Sequence, residues 1–144
     1  MTSASVVSAN LIRIAAALLL NPEGQTLLVR KRGTTAFMQP GGKIEAHELP
    51  VQALARELEE ELGLRIDPAQ ASFLGQFSAP AANEPGFTVQ AEIFQLTIAS
   101  DVTPAAEIEE VVWVDPTTDP AVVLAPLTRD LILPFYRNSL IEIA

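Results

Sequence analysis

The stretch GGKIEAHELPVQALARELEEELGL, Gly41 to Leu64, decides how the fold is read: it holds the most clearly bounded helix in the chain and sets four glutamates in the five positions from Glu57 to Glu61. Pro50 stands at a first-turn position, where its missing N–H is tolerated, and Gly63 stands where a helix usually stops. The spacing therefore predicts a helix from about Pro50 to Leu62. At about 100° per residue, Val51, Leu54, Leu58 and Leu62 fall on one apolar stripe, the face that packs on the rest of the fold. Glu57, Glu60 and Glu61, at i, i+3 and i+4, share a different face, with Glu61 nearest the apolar border. Glu59 points away from both groups.

Outward from this helix the chain reads as strands. Residues 11–20 (LIRIAAALLL) and 25–31 (QTLLVRK) flank Asn21-Pro22-Glu23-Gly24, residue types that favour chain reversal, so the two are expected to pair as a hairpin. The intervening RGTTAFMQPGG reads as a loop. After the helix, ASFLGQFSAP and FTVQAEIFQLTI read as strands around a loop containing NEPG, and EEVVWVD as a short apolar strand ending near Asp115. The C-terminal PLTRDLILPFYRNSLIEI reads as a helix that Pro134 kinks or divides. Strands on both sides of a central helix, with a second helix at the end, predict an α/β sandwich around a mixed sheet.

Composition narrows the function. The 144 residues, 49% of them hydrophobic, suffice for one domain with a real core and are too few for two ordinary ones, so a single domain over residues 1–144 is expected. Nine Lys and Arg against 18 Asp and Glu give a formal charge of -9, which argues against a nucleic acid polymer or an anionic membrane as partner. The run at residues 11–20 contains Arg13, falls well short of the roughly 20 apolar residues that span a bilayer, and has no basic residues before it, so it reads as a buried strand. The chain contains no cysteine, which fits a reducing compartment, and a cytoplasmic location is expected. A homodimer is entertained only because it is the commonest assembly.

The glutamate cluster needs an explanation. Like charges at i,i+3 and i,i+4 cost roughly 0.2 to 0.5 kcal/mol per pair, and anions near a helix C-terminus face the negative end of the dipole. A bound cation would offset both. Hard divalent cations prefer carboxylate oxygens, and Mg²⁺ is commonly held by a few carboxylates together with substrate phosphates. The absence of Cys and the single His argue against zinc. A solvated acidic helix end is the ordinary reading of a Glu run, but it leaves Gly41, Gly42, Glu48 and Arg56 unexplained.

Together these residues resemble the signature of the Nudix hydrolases, G-x5-E-x7-R-E-U-x-E-E-x-G-U with U a bulky apolar residue. Gly42, Glu48, Arg56, Glu57, Leu58, Glu60, Glu61, Gly63 and Leu64 fill every specified position. At average residue usage such a match in a chain of this length is rarer than about one in a million. The resemblance implies the Nudix α/β/α sandwich around a mixed β-sheet. It also implies Mg²⁺- or Mn²⁺-dependent cleavage of a nucleoside diphosphate linked to another group, by attack of water on phosphorus. A small nucleoside triphosphate, damaged or noncanonical, is the expected substrate. The nearest alternative is an ADP-ribose or nucleotide-sugar pyrophosphatase, for which Pro80, sixteen residues after the signature, is a modest hint. A noncatalytic nucleotide-sensing domain is the alternative from another class.

Carried over by position, Glu60 and Glu61 resemble metal ligands, and Glu57 either a ligand or the base that handles the attacking water. Arg56 would orient the glutamates through charge-assisted hydrogen bonds, and the Gly41 carbonyl would add a backbone oxygen. Glu48 falls at a position sometimes near metal and sometimes structural. The family's further acidic ligand is expected at Glu107, six residues before Trp113, with Glu109 and Glu110 as rivals. For substrate contact the candidates are Arg30 and Arg32, which would share a strand face, Lys43 beside the glycines, and Phe37, chosen over Phe77 and Phe87 for stacking on a base. GGK lacks the rest of a P-loop, and His47 reads as an exposed bystander.

Overall fold

The apolar run at residues 11–20 forms the centre of the sheet. The computed structural model describes residues 10–143; residues 1–9 and 144, which the single-domain expectation also covers, lie outside them. Strand β1 (Leu11–Leu20) is buried on both faces over its second half. Ala15, Ala17 and Leu19 join one core cluster with Ala53, Leu54, Leu58 and Leu62, while Ala16, Leu18 and Leu20 join another with Leu127, Ile132 and Tyr136. That two-sided burial is why the run is continuously apolar instead of alternating.

The sheet has six strands in the order β4-β5-β1-β2-β6, with β3 (Gly41–Lys43) also paired to β1. Here β2 is Thr26–Lys31, β4 Ser72–Pro80, β5 Thr88–Thr97 and β6 Ile108–Val114. β1 runs parallel to β5 from Leu11↔Thr88 to Leu20↔Thr97, and the other pairings are antiparallel, giving the mixed sheet expected. Helix α1 (Pro50–Leu62) covers one face and ends at Gly63, whose φ of 64° is left-handed. The C-terminal helical segment covers the other.

Two expectations need amendment. The hairpin forms, with Asn21 Oδ1 accepting hydrogen bonds from the Glu23 and Gln25 amides, but β1 and β2 pair only at Leu20↔Thr26 before diverging. Into the gap comes β3, within the stretch read as loop, paired Ala16↔Gly41, Ala15↔Gly42 and Ile14↔Lys43. Two glycines carry no strand propensity; this strand exists because their backbone can approach closely. A Cβ on Gly41 would collide with Ala15 O and would lie 2.6 Å from Ala16 Cα.

The expected effect of Pro134 takes the form of a widened turn. Thr128–Ile132 is π-helical, with the Leu133 amide bonded to Thr128 O, and it leads into α2 (Leu133–Ile143). Proline removes one i→i−4 hydrogen bond, and a π turn absorbs the resulting misfit.

Candidate active site

Arg56 organises the approach from β3 to α1. Its Nε and Nη2 donate to the two oxygens of Glu48 at 2.8 and 3.0 Å, and Nη2 also reaches Lys43 O at 3.1 Å. Its Nη1 donates to Glu57 Oε2 at 2.8 Å and to Glu60 Oε1 at 3.4 Å. A planar guanidinium can serve three carboxylates and a carbonyl at once, which a lysine cannot. The Arg56 hydrogen bonds, with a second from the Glu45 amide, hold the Glu48 carboxyl down to about 2. Glu48 therefore clasps the β3–α1 loop to the helix and is turned toward Arg56.

Gly42 makes room for Glu57. A Cβ there would lie 2.6 Å from each Glu57 carboxylate oxygen, so the carboxylate rests over β3 only because residue 42 has no side chain. Glu61 lies one turn further along α1, buried at 3% exposure, with Oε1 accepting from the Gly41 amide at 3.4 Å. Burial, and then the charge of Glu57, push its carboxyl up to about 7, against the opposing pull of Lys31 and the Gly41 amide. Glu60 is exposed, and Glu59 faces away to pair with Arg65 at 3.1 Å.

Glu57, Glu60 and Glu61 line an acidic cleft of about 420 Å³ together with Glu107, Lys31 and Lys43. The loop bearing Glu107 is docked on α1 by Thr103 N to Leu62 O at 3.0 Å and Ala105 N to Glu61 O at 2.8 Å. These bonds satisfy carbonyls that a helix end leaves open. Of the three rival glutamates, Glu107 alone lines the cleft, where Lys31 Nζ stands 3.0 Å from it; Glu109 pairs with Arg32 and Glu110 with Arg30. Among the described residues, no three acidic or histidine side chains stand ready around one point. The four glutamates form an open-sided set, with Glu57 and Glu107 held by cations of the protein.

A second cavity of about 120 Å³ adjoins the cleft and shares Lys31, Gly42, Lys43 and Glu84 with it. Its walls include Ile14, Ala16, Val89 and Leu127, on the sheet face that the C-terminal helix covers. Each reads in the sequence as an ordinary core residue, and no local signal marks it as a cavity wall.

Three expected substrate contacts lie elsewhere. Arg30 and Arg32 line neither cavity and are occupied by Glu110, Thr34 O and Glu109. Lys31, between them, faces both cavities: alternation along the strand sends residue 31 to the side opposite the arginines, and a bulge at Arg30/Lys31 adjusts the register. Phe37 is packed with Leu28 and Val114, at 6% exposure. Lys43 does line both cavities, and His47 is exposed in a left-handed turn with φ 67°.

Residues 10–127 match the NUDIX domain family. An 8-oxo-dGTP diphosphatase of Haemophilus influenzae is 40% identical over 74 residues, 49% of this chain and 54% of that protein. An RNA pyrophosphohydrolase of a Marinomonas species is 44% identical over 59 residues, 41% of this chain and 35% of that protein. The chain thus spans about half or less of these curated relatives. The crystal structure of a MutT protein from Methanosarcina mazei Go1 superposes with a TM-score of 0.70 at 25% identity, covering 90% of this chain and 94% of that one. Signature, sheet topology and a match over residues 10–127 agree: the chain belongs to the NUDIX family, and its α/β fold is the Nudix fold.

Proposed function

We propose that this chain is a metal-dependent pyrophosphohydrolase that cleaves a small nucleoside triphosphate, damaged or noncanonical, between its phosphates. The observation that carries the reading is the adjacency of two cavities, one lined by Glu57, Glu60, Glu61 and Glu107, the other apolar, joined at Lys31 and Lys43. An acidic platform beside an apolar recess suits a ligand with a polyphosphate at one end and a ring at the other. The name of the Haemophilus influenzae relative supports a nucleoside triphosphate.

The donor set fits Mg²⁺ or Mn²⁺. It is all oxygen, and Glu61, whose carboxyl is raised first by burial and then by the charge of Glu57, would gain in a cation the partner its charged form lacks. Glu57, Glu60 and Glu61 would hold the cation, with Glu107 and the Gly41 carbonyl as further donors. When bound, such a cation neutralises phosphate charge and lowers the pKa of attached water. An open set is adequate, because Mg²⁺ retains waters and takes substrate oxygens.

The chain's own groups have separate tasks. Arg56 fixes Glu57 by one oxygen, leaving the other for the cation or for the proton of the attacking water. Lys31 and Lys43 supply donors for phosphate oxygens at the junction. Ile14, Ala16, Val89 and Leu127 give the nucleoside end a dry wall.

The test is product release from a panel of nucleoside triphosphates, oxidised nucleotides, ADP-ribose, nucleotide sugars and a 5′-triphosphorylated RNA, with Mg²⁺, with Mn²⁺ and with chelator. Metal-dependent turnover of triphosphates is expected. Preference for ADP-ribose or a nucleotide sugar would favour the second reading, for which the place of Pro80 in the apolar wall is the specific observation. Tight nucleotide binding without turnover would make the chain a sensor and overturn catalysis.

A further inference from the structure

Gln39 and Pro40 lead directly into β3, and Gln39 lines the apolar cavity. It is 5% exposed. Its Oε1 accepts a hydrogen bond from the Thr128 hydroxyl at 2.8 Å, and Thr128 is itself fully buried. Its Nε2 has no partner, alone among the buried side-chain nitrogen and oxygen atoms of the described residues. Buried side-chain donors are seldom left without a partner, and the bond to Thr128 needs only the Gln39 oxygen, so the fold does not account for the free NH₂.

Its surroundings suggest what the amide is for. Met38, the residue before, bridges to Val29, and Phe37 is packed in the core, whereas Gln39 turns toward Thr128 on the side of the sheet where the apolar cavity lies. Thr128 begins the π-helical segment, two residues after Pro126 and next to the cavity residue Leu127. The hydroxyl fixes one end of the amide and leaves the NH₂ as a donor with nothing to donate to. The terminal torsion of a glutamine is broad, so a small rotation can turn that donor toward a ligand while Oε1 keeps Thr128.

We infer that Gln39 is a specificity-determining residue, whose NH₂ donates to a hydrogen-bond acceptor, a keto oxygen or bare ring nitrogen, on the nucleobase end of the substrate in the apolar cavity. The inference rests on the nucleotide reading of the adjoining cleft. The other polar residues lining this mostly apolar recess are Lys31, Lys43, Asn83 and Glu84, of which all but Asn83 also line the acidic cleft. A buried donor set among Ile14, Ala16 and Leu127 fixes orientation, and a ligand without the matching acceptor would leave the amide unpaired. Thr128 is a positioning residue for that donor and does not touch the ligand.

The first experiment follows the Gln39 side-chain NH₂ signals by ¹⁵N NMR while wild-type protein in Mg²⁺ is titrated with GMP, AMP, CMP and UMP. At least one should shift those signals together with the backbone amides of Ile14 and Leu127. Backbone shifts with the Gln39 NH₂ unmoved, or no shift with any of the four, would overturn the inference. The second measures kinetics and thermal stability of Gln39→Met on the triphosphate that the wild type turns over fastest. KM should rise about tenfold with kcat within about twofold, and the melting temperature should fall by a few degrees at most, since the change removes the unpaired donor together with the acceptor of the buried Thr128 hydroxyl. An unchanged KM would show a structural glutamine and overturn the inference. The two readings separate cleanly: no turnover with a shifting Gln39 signal sinks the hydrolase and keeps the donor, and turnover with an unmoved signal does the reverse.

Discussion

Gly42 and Glu61 are the two residues whose chemistry departs furthest from what their types ordinarily do. The three atoms nearest the Cβ of a Gly42→Ala variant all belong to the end of the Glu57 side chain, which can move, so we expect kcat to fall at least tenfold while the melting temperature drops only a few degrees. Gly41→Ala should behave oppositely, failing to fold or losing several kcal/mol, because its Cβ meets the β1 backbone. On the helix, Glu57→Gln and Glu61→Gln are each expected to lower kcat by at least about a hundredfold with the circular dichroism spectrum unchanged, and Glu59→Gln to change it by less than twofold. Equal damage from Glu59→Gln and Glu61→Gln would refute the proposed roles. The Glu61 carboxyl also sets a pH dependence. Its folded pKa of about 7 exceeds the ordinary 4.5, so the native state holds a proton that the unfolded chain releases. In metal-free protein its contribution to stability is full below pH 4.5 and is lost as pH rises through about 7, as much as about 3 kcal/mol over that window. Urea titrations with chelator should show the decline, and Glu61→Gln should abolish it. A divalent cation needs the ionised carboxylate, so its affinity should weaken as pH falls below about 7.

Among elements, the β3–α1 connection matters most, and Arg56 closes it. Glu48 is held at about 2, below its ordinary 4.5, so its contribution to stability is present above pH 4.5 and disappears as pH falls through about 2. Glu48→Gln should be less stable than wild type at pH 7 in thermal melts, with the gap closing toward pH 2. Arg56→Lys should lower both kcat and melting temperature, because one ammonium cannot hold Glu48, Glu57 and Lys43 O together. At this scale the sequence was most legible where pattern is local. Helix α1 carries its start, stop and faces in thirteen residues, and the strands β4, β5 and β6 show in their apolar runs. β3 was hidden because its pairing comes from close approach to Ala15 and Ala16, which glycine composition alone reads as loop. The same limit applied to the candidate site. The face shared by Glu57, Glu60 and Glu61 could be projected from helix geometry, whereas seeing that Lys31 lines the cavities and Arg30 and Arg32 do not required the orientation of β2. The burial of Phe37 depended on the distant residues Leu28 and Val114.

Across the molecule, the sheet separates the two cavities and β3 joins them. The glutamates stand on the α1 side, the apolar recess lies on the side of the C-terminal helix, and Lys31 and Lys43 reach both. Under the proposed function this placement would make Lys31 the link between the phosphate and nucleoside ends of a ligand. Lys31→Met should raise KM for a triphosphate about tenfold, whereas Arg30→Met and Arg32→Met, whose charges are spent on Glu110 and Glu109, should stay within about twofold in the same assay. In a chain of net charge -9, a polyanionic substrate can approach the acidic cleft only with cations at hand, so metal occupancy and turnover should be inseparable. The direct test is a Mn²⁺ titration of metal-free wild type and Glu61→Gln, with bound Mn²⁺ read by electron paramagnetic resonance and triphosphate hydrolysis measured on the same samples. The account predicts that hydrolysis rises in step with bound Mn²⁺ in the wild type and that both collapse in Glu61→Gln; hydrolysis without bound Mn²⁺, or undiminished in the variant, would contradict it.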